Sequence, residues 1–471
     1  MTIVTGASWA DEALASARPG VFWMDREVPF LAGARLAEIG RADLAIIGGG
    51  FTGLWAALLA AERDPGRSIV VLEAGAVADG ASGRNGGFVA DSLCHGLAHG
   101  SATWPDELPE LLRLGRQNMD ELEAFIVAEG IDAGFRRSGK TTVATAEYQV
   151  PELAALAALF DEHGEDAELL DGAAVRADVD SPTYLAGLRI RSGYGLVDPA
   201  RLAWGLAEAA QARGISIVEG ARVTDLEAHP DGVRVAVGDQ ALTADRVVVA
   251  TNAFPAPLKR VRHFVVPFYD YVLMTEPLSR EQWAAVGWAE RQGLTDAGNF
   301  FHYYRPTDDG RILWGGYDAV YHFGSRVDPS LEQHEASQRT LAEHFFEAFP
   351  QLEGLRFSHR WGGAIDSTSR FTPVFGTAFD GRVAYAVGYT GLGVASTRFG
   401  AAVALDLLDG RRTERTRLSM VRKKPMPFPP EPLRWLAVRI TQSQLARQDR
   451  NEGKATMWLR LLDRLGMGFT S

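Results

Sequence analysis

Three glycines, Gly48, Gly50 and Gly53, follow the apolar run Leu44–Ile47 in the order G-x-G-x-x-G. Each has a separate task there. Gly48 permits a tight turn, Gly50 lets the backbone approach a pyrophosphate, and Gly53 lets a helix pack closely on the strand. Phe51 and Thr52 open that helix, and Leu54, Ala57, Leu58 and Ala61 recur at its spacing. Its N-terminus offers free N–H groups and the positive end of a dipole to phosphates. Glu73, twenty residues after Gly53, ends the strand Ile69–Leu72 and can accept hydrogen bonds from a ribose diol, with Ala74 beside it. A lone glycine triplet marks only a turn. Strand, triplet, helix, strand and acid in sequence specify a dinucleotide site.

Three further segments bear on which dinucleotide. Gly80–Gly87 carries four glycines in eight residues, and such a loop is either disordered or pressed against something flat; Ser82, Gly83, Arg84, Asn85, Gly86 and Gly87 join the candidate cofactor set. Asp245–Ala253 reads as a buried strand that ends in Thr251 and Asn252. Arg382–Val394 reads as a second buried strand and a second glycine turn, with Gly388, Gly391, Leu392, Gly393 and Val394, before a helix stopped by Gly410. A nicotinamide domain has no need of this late turn. A flavin enzyme does, because a helix N-terminus aimed at the N1–C2=O edge stabilises the charge of reduced flavin. Val223, at the start of another strand, joins the cofactor set.

The segments GGGFTGL, GASGRNGG, ATNAF, TEPL, YYRPTDDGRILWGGY and GYTGLGVA occur together and in this order. They resemble the D-amino acid oxidase superfamily of FAD-dependent amine oxidoreductases, in its gamma-glutamylputrescine oxidoreductase-like branch. The resemblance runs from about Asp43 to Gly410. It implies an α/β fold: a discontinuous Rossmann-like FAD-binding domain (41–104, 194–262 and 355–412) and an antiparallel β-sheet substrate domain of α+β type (105–193 and 263–354). A leader (1–40) precedes them, and a proline-rich linker and helical C-terminal arm (413–471) follow. It also implies non-covalent FAD, hydride transfer from an amine to flavin N5, and hydrolysis of the imine.

Substrate contacts are expected on the face of the roofing sheet that meets the flavin. Trp314, Gly316 and Asp318 alternate along one strand, with Tyr304 on its neighbour and Trp361 near the return to the FAD domain. Asp318 is the candidate partner for a cationic amine in this aromatic pocket. In the sarcosine oxidases of the superfamily a lysine that assists oxygen lies on the strand resembling Arg311–Asp318, where Trp314 stands here. A second lysine that holds the substrate carboxylate looks like Ala395, and a histidine common in the late turn looks like Leu392. These departures argue against a small N-methyl amino acid in the sarcosine pose, and leave oxygen or another acceptor as the electron sink.

The composition, 46% hydrophobic and 23% charged over 471 residues, is that of a globular protein with room for two or three cores. A net charge of −12 without a basic block argues against a nucleic-acid surface. The single cysteine, Cys94, rules out an intrachain disulfide and fits a reducing compartment. The N-terminus lacks the pattern of a secretory signal, and no apolar run approaches the roughly 18 residues of a membrane span, so a cytoplasmic enzyme is expected. Cys94, His95 and His99 lack the further ligands of a zinc site, and no metal is expected. Arg305, Arg360 and Arg370 are either anion binders or ion-pair residues. Two other readings stay open: an NAD(P)H-linked reductase with FAD as relay, and a non-catalytic flavoprotein.

Overall fold

The computed structural model describes residues 6–29, 31 and 33–467. Five parallel strands form its nucleotide-binding sheet, in the order Val383–Val387, Gln240–Val249, Arg41–Ile47, Ile69–Leu72 and Ser216–Val218. They are near-continuous apolar runs because helices cover one face and a loop-and-hairpin layer the other. Val374–Ala378 adds an antiparallel edge, and the hairpin Val223–His229/Gly232–Val237 extends the first half of Gln240–Val249.

Two helices deliver their N-termini to the same end of this sheet. Phe51–Arg63 starts at Gly50, and Gly393–Leu408 starts at Leu392. Both are rich in buried alanine, so the two pack closely. Asp406, 1% exposed, clamps them: Oδ1 pairs with Arg63 at 2.7 Å, and Oδ2 pairs with Arg415 at 2.9 Å and accepts from the Thr413 hydroxyl. A third helix, Pro199–Ala212, is capped by Asp198, whose side chain accepts from the Arg201 amide.

The roof is a nine-stranded mixed sheet. Its central strands Phe357–Ser367, Val266–Thr275, Ile312–Gly316, His302–Pro306 and Gly293–Asp296 are antiparallel. Lys140–Ala144 then joins Gly293–Asp296 in parallel. The strand Phe357–Ser367 belongs to this roof, so the third FAD-binding segment begins with Val374–Ala378, not at 355. The leader also serves the roof. Arg18–Pro19 pairs with His359 and Arg360, and Gly6–Leu14 lies against Glu335–Ala348. Beyond the linker, Leu433–Arg450 and Met457–Arg464 form the C-terminal arm. Among the described residues no helix is long and apolar enough to cross a membrane.

Removing the clamp between the two helices takes from Arg415 its carboxylate and leaves Arg63 only its longer pair with Asp409, at 3.3 Å. Asp406→Ala is expected to destabilise the protein by about 3 kcal/mol in urea titrations monitored by circular dichroism.

Candidate functional site

The first glycine turn is crowded on every side. Gly48 has φ +112°, and a Cβ there would lie 2.5 Å from the Ala250 carbonyl oxygen. A Cβ on Gly53 would lie 1.9 Å from the Gly48 carbonyl oxygen, and one on Gly50 would lie 2.8 Å from Ser82 Oγ. The strand, turn and helix therefore approach as closely as bare backbone allows. Glu73 braces the turn: Oε2 accepts from the Gly49 amide at 2.7 Å and Oε1 from the Gly75 amide at 2.8 Å. Burial pushes its carboxyl up. A carboxylate has lone pairs beyond those two bonds, so ribose hydroxyls can still donate to it. The Gly220 and Ala221 amides donate to the carbonyls of Gly75 and Glu73, which brings Val223 to the same edge while Ala74 stays exposed.

Ser82 Oγ accepts from the Phe51 amide at 2.9 Å and so ties the loop Gly80–Gly87 to the helix start. Trp23 and Trp361 hold the loop from either side, donating through Nε1 to the carbonyls of Asn85 and Arg84, each at 2.9 Å. Thr251 Oγ1 is buried without a partner, and Asn252 takes φ +51° beside it. An orphaned hydroxyl, a glycine cradle and two helix N-termini fit a flavin dinucleotide.

The second turn is bolted to a buried carboxylate absent from the sequence-derived set. Asp366 accepts from the Gly388 amide and from the Tyr389 amide, the latter at 3.1 Å. Burial pushes its carboxyl up to about 7, and those amides act in the opposite sense. Gly388 and Gly391 have φ +88° and +86°, which lets the chain reverse before Gly393 and Val394 enter the helix. The Thr52 hydroxyl donates to the Tyr389 hydroxyl at 3.1 Å, linking the two turns directly.

The roof sheet corrects the expected pocket. Tyr304 and Trp314 are 0% and 1% exposed, and their rings pack with Phe345 and Phe349 under the helix Glu335–Ala348. Asp318 follows them to that side and accepts from Ser337 Oγ at 2.6 Å. The alternation was read correctly, but its face is turned away from the nucleotide-binding domain. Of the expected residues only Trp361 packs with that domain's core.

Facing the cofactor loops instead are Asp270, Tyr303, Leu313 and Gly315. Tyr303 lies over Gly315, where a Cβ would sit 2.8 Å from the phenol oxygen, and against Gly86 at 2.7 Å. Its hydroxyl donates to Asp270 Oδ2 at 2.5 Å. Asp270 Oδ1 is buried and has no partner. Burial pushes this carboxyl up to about 6, and the Tyr303 hydrogen bond draws it down. The period-2 pattern identified the strands, but it is symmetric between faces. The one legible signal was an acid, Asp270, inside the apolar run Phe264–Met274.

The remaining candidates have structural tasks. Arg84 pairs with Glu332 at 2.6 Å and donates to the Gly362 carbonyl. Arg305 donates to the carbonyls of Val197 and Gly87, with Trp23 beneath its guanidinium. Arg360 reaches Gln338 Oε1 at 3.4 Å. Arg370 donates to the carbonyls of Met420 and Lys423, fastening the segment after residue 413. Burial raises the Cys94 thiol to about 11. Among the described residues no cluster of His, Cys, Asp and Glu is arranged for a metal.

A family model described as FAD dependent oxidoreductase (DAO) matches residues 43–407. The gamma-glutamylputrescine oxidoreductase of Escherichia coli (strain K12) is 33% identical over 377 residues, covering 78% of this chain and 84% of that one. A probable oxidoreductase OrdL of Haemophilus influenzae is 28% identical, covering 80% and 84%. Among solved structures, glycine oxidase from Geobacillus kaustophilus superposes with a TM-score of 0.68 at 21% identity, over 82% of this chain and all of that one (100%). L-proline dehydrogenase from P. horikoshii gives 0.66 at 17% identity, over 82% and 98%. The match across the nucleotide cradle, the late glycine turn and the roof places this chain in the DAO family of FAD-dependent oxidoreductases, as an amine oxidoreductase.

Proposed function

We propose that the protein oxidises a primary or secondary amine to an imine, which water hydrolyses to an aldehyde or ketone. The observation that carries this reading is the buried Asp270 carboxylate, which Tyr303 joins to the loop Gly80–Gly87 and which has one oxygen unpartnered. A lone buried carboxylate is costly unless a cation or a proton meets it. A substrate ammonium supplies both. It binds Asp270 as an ion pair and gives up one proton to it, leaving the neutral amine whose C–H bond can break heterolytically. FAD, when bound, accepts the hydride. Tyr303 holds Asp270 Oδ2, so Oδ1 is the oxygen aimed at the amine. The name of the Escherichia coli relative supports a polyamine derivative as substrate, and the solved relatives named for glycine, L-proline and iminodiacetate support amino acids and related amines.

The residues of Ile312–Gly316 that share the cofactor-facing side are Leu313 and Gly315. Neither can supply the cation that assists oxygen in sarcosine oxidases, and this favours an acceptor other than oxygen. An NAD(P)H-linked relay would need a second nucleotide cradle, and the late turn is committed to Asp366 and the helix Gly393–Leu408.

Anaerobic stopped-flow mixing with amines, polyamines and amino acids is expected to bleach the flavin band near 450 nm, with slow recovery on admitting air. Rapid bleaching by NADPH and none by any amine would overturn the reading.

Asp270→Asn separates the two roles of the carboxylate. It is expected to slow flavin reduction by the true amine about tenfold to a hundredfold, since a hydrogen bond to a charged group contributes about 1.5–3 kcal/mol. Its effect on stability runs the other way. Asp270 has a folded value of about 6 against 3.8 unfolded, so its contribution is fully present below pH 3.8 and is lost as pH rises through 6. The Asn variant escapes that loss. Its Tm is expected to exceed that of the wild type at pH 8, by about 3 kcal/mol in stability, and to match it closely at pH 4. Equal differences at both pH values would show that folding does not shift the pKa of this carboxyl.

A further inference from the structure

The C-terminal arm is basic on an acidic protein. Residues 413–471 hold twelve Lys and Arg against five Asp and Glu, in a chain whose net charge is −12. Most of the arm's acids are engaged. Glu414 pairs with Arg113 at 2.7 Å, and Glu452 pairs with Lys454 at 3.3 Å. Glu431 accepts from the Tyr321 hydroxyl and, at 3.0 Å, from the Gly324 amide. Asp449 accepts from the Asn299 side-chain amide at 2.7 Å, and so ties the arm to the segment just ahead of the strand His302–Pro306. The arginines are arranged the other way. Arg439, Arg447, Arg450, Arg460 and Arg464 are exposed, and among the described residues none has a carboxylate within ion-pair distance.

The same arm exposes apolar surface. Among the described residues, seven of the thirteen large apolar side chains that lie exposed fall between Met426 and Leu465, so the exposure is concentrated there. On Met457–Arg464 the pattern is two-sided. Leu459 and Leu462 are buried, whereas Met457, Leu461 and Leu465, spaced four apart, form an outer stripe at 87%, 49% and 48% exposure. Arg460 and Arg464 run along one edge of that stripe at the same spacing, and Asp463 lies beyond them, away from it. Trp458 Nε1 donates to Thr441 Oγ1 at 2.9 Å, which ties this helix to Leu433–Arg450. There Leu433, Trp435 and Leu436 are exposed, and the Arg439 guanidinium lies 5.7 Å from the Trp435 ring.

We propose that the arm docks on an anionic lipid bilayer, with its apolar side chains in the headgroup boundary and its arginines on lipid phosphates. The inference is independent of the reaction proposed above. Unpaired arginines set among exposed Leu, Met and Trp suit that boundary, because each stem lies along apolar surface while the guanidinium reaches a phosphate. Trp is favoured at the same depth. A protein partner must supply a carboxylate in register with each arginine and a recess for Met457. A fluid bilayer supplies phosphate and apolar surface together, with no fixed register. The acidic remainder of the chain is repelled by an anionic surface, so docking has one orientation, with the arm toward the lipid.

The test floats the holoenzyme through a density gradient and follows flavin absorbance, with vesicles of phosphatidylcholine or of an equal mixture with phosphatidylglycerol. Binding to the mixed vesicles is expected to be about tenfold tighter or more, and to be lost as salt rises to roughly 0.5 M. Arg460→Gln combined with Arg464→Gln should weaken it about tenfold, and Leu461→Ser combined with Leu465→Ser by a similar factor. All four side chains are exposed, so the flavin spectrum and Tm should stay those of wild type. Cys94 is buried, so a polarity-sensitive fluorophore can be attached at Met457→Cys, and its emission should move to the blue on mixed vesicles only. No flotation with mixed vesicles, equal binding to both kinds, or binding indifferent to the arginine substitutions overturns the proposal. A dimer in light scattering that Leu461→Ser with Leu465→Ser converts to a monomer also overturns it, because a second copy then covers the arm.

Discussion

The structure depends on one close approach, where the helix Phe51–Arg63 leaves the strand Arg41–Ile47 with no room for a side chain. Gly48 is pinned against the Ala250 carbonyl and Gly53 against the Gly48 carbonyl, so the helix start has one position relative to the sheet. Everything that meets the dinucleotide is referred to that point. Glu73 holds the Gly49 amide, Ser82 holds the Phe51 amide, and Thr52 reaches across to Tyr389 in the late turn. The loop Gly80–Gly87, the first helix and the late turn are thus tied together by hydrogen bonds, and Asp406 locks the two helices farther along their length. Preorganisation of this kind has its value in catalysis, because dipoles already aimed at a developing charge need not reorganise when it forms.

A second theme is the placement of charges out of water. Asp366 is buried and satisfied by backbone amides, so its work is structural. The Asp270 carboxylate is buried and incompletely satisfied, with one orphaned oxygen. Groups of the first kind stabilise a turn. Groups of the second kind cost stability in the free protein and recover it when a ligand brings the missing partner, which is how a binding site departs from an optimally stable core.

The cofactor side of the protein was legible in the sequence because its signals are local. The glycine triplet, Glu73, the loop Gly80–Gly87 and the turn at Gly388–Gly393 each encode a short-range backbone requirement, and the family match from 43 to 407 follows the same segments. Helix starts were legible for the same reason: Asp198 before Pro199 is a cap that acts over three residues. Strand positions in the roof were also readable, since Val266–Thr275, His302–Pro306 and Ile312–Gly316 lie where apolar runs occur. The membership of Phe357–Ser367 was not, because pairing with a strand some ninety residues away leaves no local trace.

The sequence by itself determined that a dinucleotide cradle exists, where its turns fall, and that a flavin rather than a nicotinamide occupies it. Backbone geometry at a glycine is a property of a few neighbouring residues, so it survives in the linear order. Tertiary structure alone decided which face of the roof meets that cradle. Alternation along a strand separates two sets of side chains without saying which set is inside, and Tyr304, Trp314 and Asp318 differ from Tyr303, Leu313 and Asp270 only in parity. The choice is made by the helix Glu335–Ala348, whose Phe345 covers one set and leaves the other to the cofactor loops. That is a contact between segments distant in the chain, and it converts an aromatic stripe into core and leaves Tyr303 and Asp270 to the candidate site.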